Sequence, residues 1–146
     1  MENTMADTAA LQSAFEWVRG DLAGRFGQTF SKRSVTLNTG GQRTFNAVAD
    51  DISVVATITN HSGLTSGGKK PVGKVRSAIA DLYFLTLVQA PRRILVVTNP
   101  EFHAILTREL EGLLADGVEI LHRPLPAPLA ALVAKIKDDA SGEMTR

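Results

Sequence analysis

The stretch Thr44-Phe-Asn-Ala-Val-Ala-Asp-Asp-Ile-Ser-Val-Val-Ala-Thr-Ile-Thr59 decides the fold. Two runs rich in β-forming residues, Thr44–Ala49 and Ile52–Thr59, are joined by Asp50-Asp51, a polar link of hairpin length. Just upstream, Ser34–Asn38 alternates with Val35 and Leu37 on one face, and Gly40-Gly41 turns the chain back toward Thr44. Three short strands in succession predict a meander. Before it, Leu11, Phe15, Val18, Leu22 and Phe26 recur at helical spacing, so Thr8–Phe26 is predicted as an amphipathic helix. Gly27 ends it, because a residue without Cβ takes the left-handed cap conformation at little cost.

Downstream the pattern changes. Val75–Val88 has few polar positions in its second half and predicts a largely buried helix. Ile94-Leu-Val-Val-Thr98 is a continuous apolar strand of the kind covered on both faces. Pro100 suits the first turn of a helix running to about Ala115, with Phe102, Ile105, Leu106, Leu110 and Leu113 inward. Val118–Leu121 is a last short strand. Pro124, Pro126 and Pro128 introduce a small helix ending near Lys137, whose Leu129, Leu132, Val133 and Ile136 would cover a partner or pack on the chain's own sheet. Residues 1–137 thus read as a single α/β domain: a mixed sheet with an N-terminal helix, a three-strand meander, then helix-strand-helix-strand, with helices on both faces. Residues 138–146 read as a disordered tail.

The chain has 146 residues, enough for one domain with a real core. It has no cysteine, which excludes disulfides and thiolate metal sites and fits the cytoplasm. Met1–Asp7 is acidic and polar, unlike a secretory signal. No apolar run approaches the roughly 20 residues that span a bilayer. A soluble, cytoplasmic protein without a membrane partner is expected.

The net charge of +1 conceals an uneven distribution. Between residues 61 and 93 stand Lys69, Lys70, Lys74, Arg76, Arg92 and Arg93 against Asp81 alone. Three of these cations lie within, and Arg76 just beyond, the polar, glycine-rich loop His61-Ser-Gly-Leu-Thr-Ser-Gly-Gly-Lys-Lys-Pro-Val-Gly-Lys74, which lies between a strand and a helix. Free backbone amides, lysines and a following helix N-terminus all favour an anion. Within the loop, Gly63–Lys69 matches the G-x-x-x-x-G-K pattern of phosphate loops. Lys70 stands where a magnesium-binding Ser or Thr belongs, Pro71 removes an amide donor, and the strand Ile94–Val97 ends in Thr98 rather than an aspartate. Those departures argue against nucleotide hydrolysis. Phosphate contacts are expected from Thr65, Ser66, Gly67, Gly68, Lys69, Lys70, Lys74 and Arg76. Strand alternation also places Asn46, Thr57 and Thr59 on one polar sheet face beside the loop, with His61 next to it.

The order of elements, a helix, a three-strand meander, a helix and a strand, resembles the core of the restriction-endonuclease-like, or PD-(D/E)XK, superfamily over roughly Leu11 to Leu121. The resemblance implies an aspartate on the second strand and an acid plus lysine on the third, gathered around a metal-bound water. Here Asn46 aligns with the aspartate, and Thr57 and Thr59 stand in the other two places. The chain is therefore similar to a degenerate member that keeps the scaffold. The resemblance implies a scaffold without cleavage activity or cofactor, and the basic loop of residues 61–76 on it leads to the expectation of a nucleic-acid (polyanion) binding domain. Two other readings stand beside it. One is a metal-dependent nuclease with a rearranged site, drawing on Asp50, Asp51 and Lys69, with Glu16 and Asp50 holding Mg2+ or Mn2+. The other is a non-enzymatic subunit that binds a protein partner or forms a homodimer.

Overall fold

A computed structural model describes residues 4–63 and 71–144. The elements follow in the order α1 (Thr4–Phe26), β1 (Phe30–Thr36), β2 (Gln42–Ala49), β3 (Val54–Thr59), α2 (Val72–Thr86), β4 (Arg92–Val97), α3 (Pro100–Glu109), β5 (Val118–His122) and α4 (Ala127–Met144). The five strands form one mixed sheet in the order β1-β2-β3-β4-β5. β1, β2 and β3 pair antiparallel as hairpins, whereas β3, β4 and β5 are parallel and joined by α2 and α3. This is the α/β architecture expected from the sequence, with helices on both faces.

Two cores sandwich the sheet. On one face α1 and α4 bury Ala14, Val18, Leu22 and Val133 against Ala47, Ala56, Ile58, Ile94 and Val96. On the other, α2 and α3 bury Val75, Leu82, Leu85, Phe102 and Leu106 against Val48, Val55, Leu95 and Val97. Ile94–Val97 is fully buried, which is why β4 reads as an unbroken apolar run. Of the α4 stripe, Val133 joins the core and Leu129 packs against it, whereas Leu132 is exposed.

Several boundaries differ from the sequence reading for identifiable reasons. β1 starts at Phe30, not Ser34; its Ser31–Ser34 stretch is polar because β1 is an edge strand with much of its surface exposed. α4 runs to Met144, past Lys137, through a stretch free of proline. The clearest difference is at α3. The helix stops at Glu109 instead of near Ala115, and Gly112 at φ 75° turns the chain away. Leu113, read as inward on a helix, lies in that turn and is 71% exposed. The start of α3 is well fixed, because the Asn99 side chain accepts the Phe102 N–H at 2.9 Å with Pro100 in the first turn.

The β2–β3 turn follows from its polar residues. The Asp51 carboxylate accepts the Ser53 N–H at 2.9 Å, and Gln28 Oε1 accepts the Asp51 N–H at 3.1 Å. Ile52 sits at φ 61°, a left-handed conformation that a β-branched residue adopts at a cost. Gly63, just beyond β3, lies against the first turn of α3, where an added Cβ would come within 2.3 Å of Glu101 Cβ. None of the described helices is long and apolar enough to cross a membrane.

Candidate nucleic-acid interface

The site begins with an irregularity in β2. Ser31 pairs with Val48 and Arg33 with Phe45, so one residue of β1 faces two of β2, Asn46 and Ala47. This is a β-bulge, a device that re-aims a side chain and bends its strand. On the other side of β2, pairing with β3 is restricted to Ala47↔Ala56 and Val48↔Val55. Toward Asn46 and Ile58 the two strands splay.

The Asn46 amide fills the gap. Its Oδ1 accepts the Ile58 N–H at 2.7 Å and its Nδ2 donates to the Ile58 carbonyl at 3.3 Å. A side chain thereby replaces the missing rungs of the ladder and satisfies both backbone groups of Ile58. Asn46 thus leaves the simple alternation that would put it on a face with Thr57 and Thr59. Its own carbonyl accepts a hydrogen bond from Arg19 Nη1 of α1 at 2.8 Å.

Around this gap lies a cleft of about 440 Å3 reached by α1, α2 and all three meander strands. Its polar lining includes Arg19, Lys32, Arg43, Asn46, Thr57 and Asp81. Three cations therefore face one carboxylate. Arg43 Nη2 stands 3.8 Å from Asp81 Oδ1, and its guanidinium lies over the Phe84 ring at 3.8 Å. That stacking holds the planar group at the cleft without consuming its hydrogen-bond donors. Burial pushes the Asp81 carboxyl above its ordinary value, and the Arg43 charge opposes the shift.

Lys74 lies seven residues before Asp81 on α2, two turns and about 10 Å along the same side of the helix. Its Nζ donates to Ser62 Oγ at 2.9 Å, tying the start of α2 to the residues that leave β3. Arg76 is exposed on the same helix. Thr65, Ser66, Gly67, Gly68, Lys69 and Lys70 lie outside the described residues.

Thr59 and His61 are placed elsewhere. Thr59 is buried, and its carbonyl accepts the Thr98 N–H at 3.2 Å. The Thr98 hydroxyl donates to Asn60 Oδ1 at 2.6 Å. His61 sets its ring edge-on to Phe102, with centroids 5.7 Å apart. These residues link the C-terminal ends of β3 and β4 to α3.

The candidate acids are spread apart. Asp50 and Asp51 occupy the hairpin turn at one end of β3, while Asn46 meets Ile58 near the other end. Hydrogen bonds from Ser53 hold the Asp51 carboxyl below its ordinary value. Glu16 stands ten residues before the end of α1, about 15 Å along the helix from the end that Gln28 and Asp51 flank. Among the described residues no group of three or more His, Asp or Glu is disposed to hold a metal ion. The cleft itself does not fit a divalent cation, because its one carboxylate faces Arg43 and its other charges are positive.

Arg19, Lys32, Arg43 and Asp81 escaped the sequence reading because they come from four different elements. The one available signal was Phe45-Asn-Ala-Val-Ala49, whose apolar pattern breaks strict alternation and so marks a bulge. His103 and His122 also meet, as parallel rings with centroids 4.9 Å apart. Burial, and secondarily the neighbouring ring, lowers the basicity of His103.

No family model, curated protein or solved structure matches the chain.

Proposed function

We propose that this protein is a cytoplasmic nucleic-acid-binding domain that grips the phosphate backbone along the cleft between β2 and β3. The observation that carries the reading is the convergence of Arg19, Lys32 and Arg43 on one cleft. Lys74 stands two turns before Asp81 on α2, and in sequence it follows the Gly67–Lys70 segment. Guanidinium groups meet phosphate as forks and lysines meet it as point charges, so together they fix a strand's position without reading its bases. On this reading the scaffold resembles a restriction-endonuclease-like domain in which Asn46, standing in the aspartate's place, braces the backbone.

The test is fluorescence anisotropy of labelled single- and double-stranded oligonucleotides at two salt concentrations with Mn2+ present, followed by a denaturing gel. Salt-sensitive binding with intact strands is expected. The double variant Lys69→Ala with Lys70→Ala should weaken binding alike for unrelated sequences. Metal-dependent cut strands would instead establish a nuclease, and no binding at low salt would overturn the assignment.

A further inference from the structure

The cleft between β2 and β3 carries a flat surface as well as charge. Arg43 lines the cleft and Phe84 does not, while the Arg43 guanidinium lies over the Phe84 ring at 3.8 Å. The ring covers one face of the guanidinium and leaves the opposite face on the cleft side, where the Arg43 side chain is 39% exposed. Phe84 packs against the α2/α3 core, so the stack rests on a held ring. A guanidinium plane supported in this way is a platform for a nucleobase, which it attracts by stacking and by its charge.

The size and lining of the cleft restrict what reaches that face. Its volume of about 440 Å3 lies in the range of roughly 300–1,000 Å3 typical of clefts that enclose a small molecule, which gives room for one nucleotide. Gln12, Thr44 and Thr57 add uncharged hydrogen-bonding side chains to the wall, and Phe15 adds an apolar one. A bare phosphate has no use for these groups, whereas a base and its sugar do. A duplex is a rod with its phosphates outside and each base face covered by the next base pair, so it offers nothing to stack on Arg43. A single strand can turn one base out of its stack.

We propose that the cleft takes one unstacked nucleotide of a single strand, with its base on the Arg43 face and its phosphate held by Arg19 and Lys32. The protein therefore prefers single-stranded nucleic acid to duplex. This inference rests on the phosphate-binding reading above and adds to it the class of strand. Arg19 Nη1 is committed to the Asn46 carbonyl at 2.8 Å, which fixes the guanidinium and leaves its other N–H groups for phosphate oxygens. Arg43 acts twice, because its face takes the base while its edge keeps donors for the backbone. Every base has a π-face, so the preference concerns the state of the strand and not its sequence.

The test is fluorescence anisotropy at low salt with one labelled sequence of about 12 nucleotides, as a single strand and as a blunt duplex, in DNA and in RNA. In at least one of the two chemistries the single strand should bind about fivefold tighter than the duplex, the contribution of one stacked base. Arg43→Lys keeps the charge and removes the plane. It should lower single-strand affinity about fivefold, leave duplex affinity and the salt slope unchanged, and so abolish the preference. An abasic strand of the same length needs no variant and should bind the wild type about fivefold more weakly than the complete strand. Equal affinity for strand and duplex in both DNA and RNA would overturn the proposal and leave the phosphate reading standing. A preference that survives Arg43→Lys, or an abasic strand that binds as well as the complete one, would overturn it too. No binding of either form would overturn both.

Discussion

At the β2–β3 gap and at the β5 edge, the same sheet leaves backbone groups without a neighbouring strand, and the two places handle them differently. In the gap, a bulge aims Asn46 at Ile58, and its amide takes over both hydrogen bonds. Cations then gather around the opening. At β5 the outward groups of Ile120 have a hollow and apolar side chains beside them. A gap closed by a side-chain amide can stay hydrated and charged, and so suits an ion. An open edge beside apolar surface suits another strand.

The largest effect that separates the two should come from Asn46→Ala. Removing the amide leaves the Ile58 N–H and C=O without partners and should cost about 2–3 kcal/mol in urea denaturation. It should also impair anion binding, because the strand loosened by losing the amide carries the carbonyl that anchors Arg19. A loss below about 0.5 kcal/mol would mean that the strands close the gap by themselves.

Next in size is Arg43→Ala. It should weaken oligonucleotide binding about tenfold at low salt. Unchanged affinity would show that Arg43 does not meet the bound strand.

Asp81→Asn should act in the opposite direction, tightening binding about two- to threefold by removing the cleft's one carboxylate. Its stability effect has a definite sign. Burial raises the folded-state value of Asp81, so the folded chain holds this proton more firmly than the unfolded chain does. The contribution of Asp81 to stability is therefore greatest in acid and declines as pH rises through the unfolded and then the folded value. The variant should be the more stable protein at neutral pH, with the difference fading below pH about 4. Urea titrations at the two pH values check this, and a gap that widens in acid would contradict it.

The smallest effect is expected at Ile52, on the hairpin remote from both regions. Ile52→Asn should raise stability by up to about 1 kcal/mol, because asparagine tolerates the left-handed conformation better than a β-branched residue. Binding should not move.

The fold was legible wherever local pattern and tertiary environment agree. Ile94–Val97 reads as a buried strand and is one, and Leu11, Val18 and Leu22 keep helical spacing because α1 packs one side on the sheet. Leu113 shows where pattern misleads. Its spacing continues the apolar series of α3, but Gly112 breaks the helix first and leaves the side chain in solvent. The cleft was harder to foresee. Asn46 and Thr57 stood out as polar residues on apolar strands, whereas Arg19, Lys32, Arg43 and Asp81 are ordinary surface types in sequence. A bulge and a splay bring them together, and neither follows from the periodicity of a single strand.

The most direct test of the cleft as a phosphate site is the salt dependence of oligonucleotide affinity for the wild type and for Arg19→Ala with Arg43→Ala. Each lost phosphate contact should lower the slope of log affinity against log salt by about 0.7 to 0.9, so the double variant should flatten it by roughly 1.5. A double variant that binds with the wild-type slope would contradict the account and move the anion elsewhere.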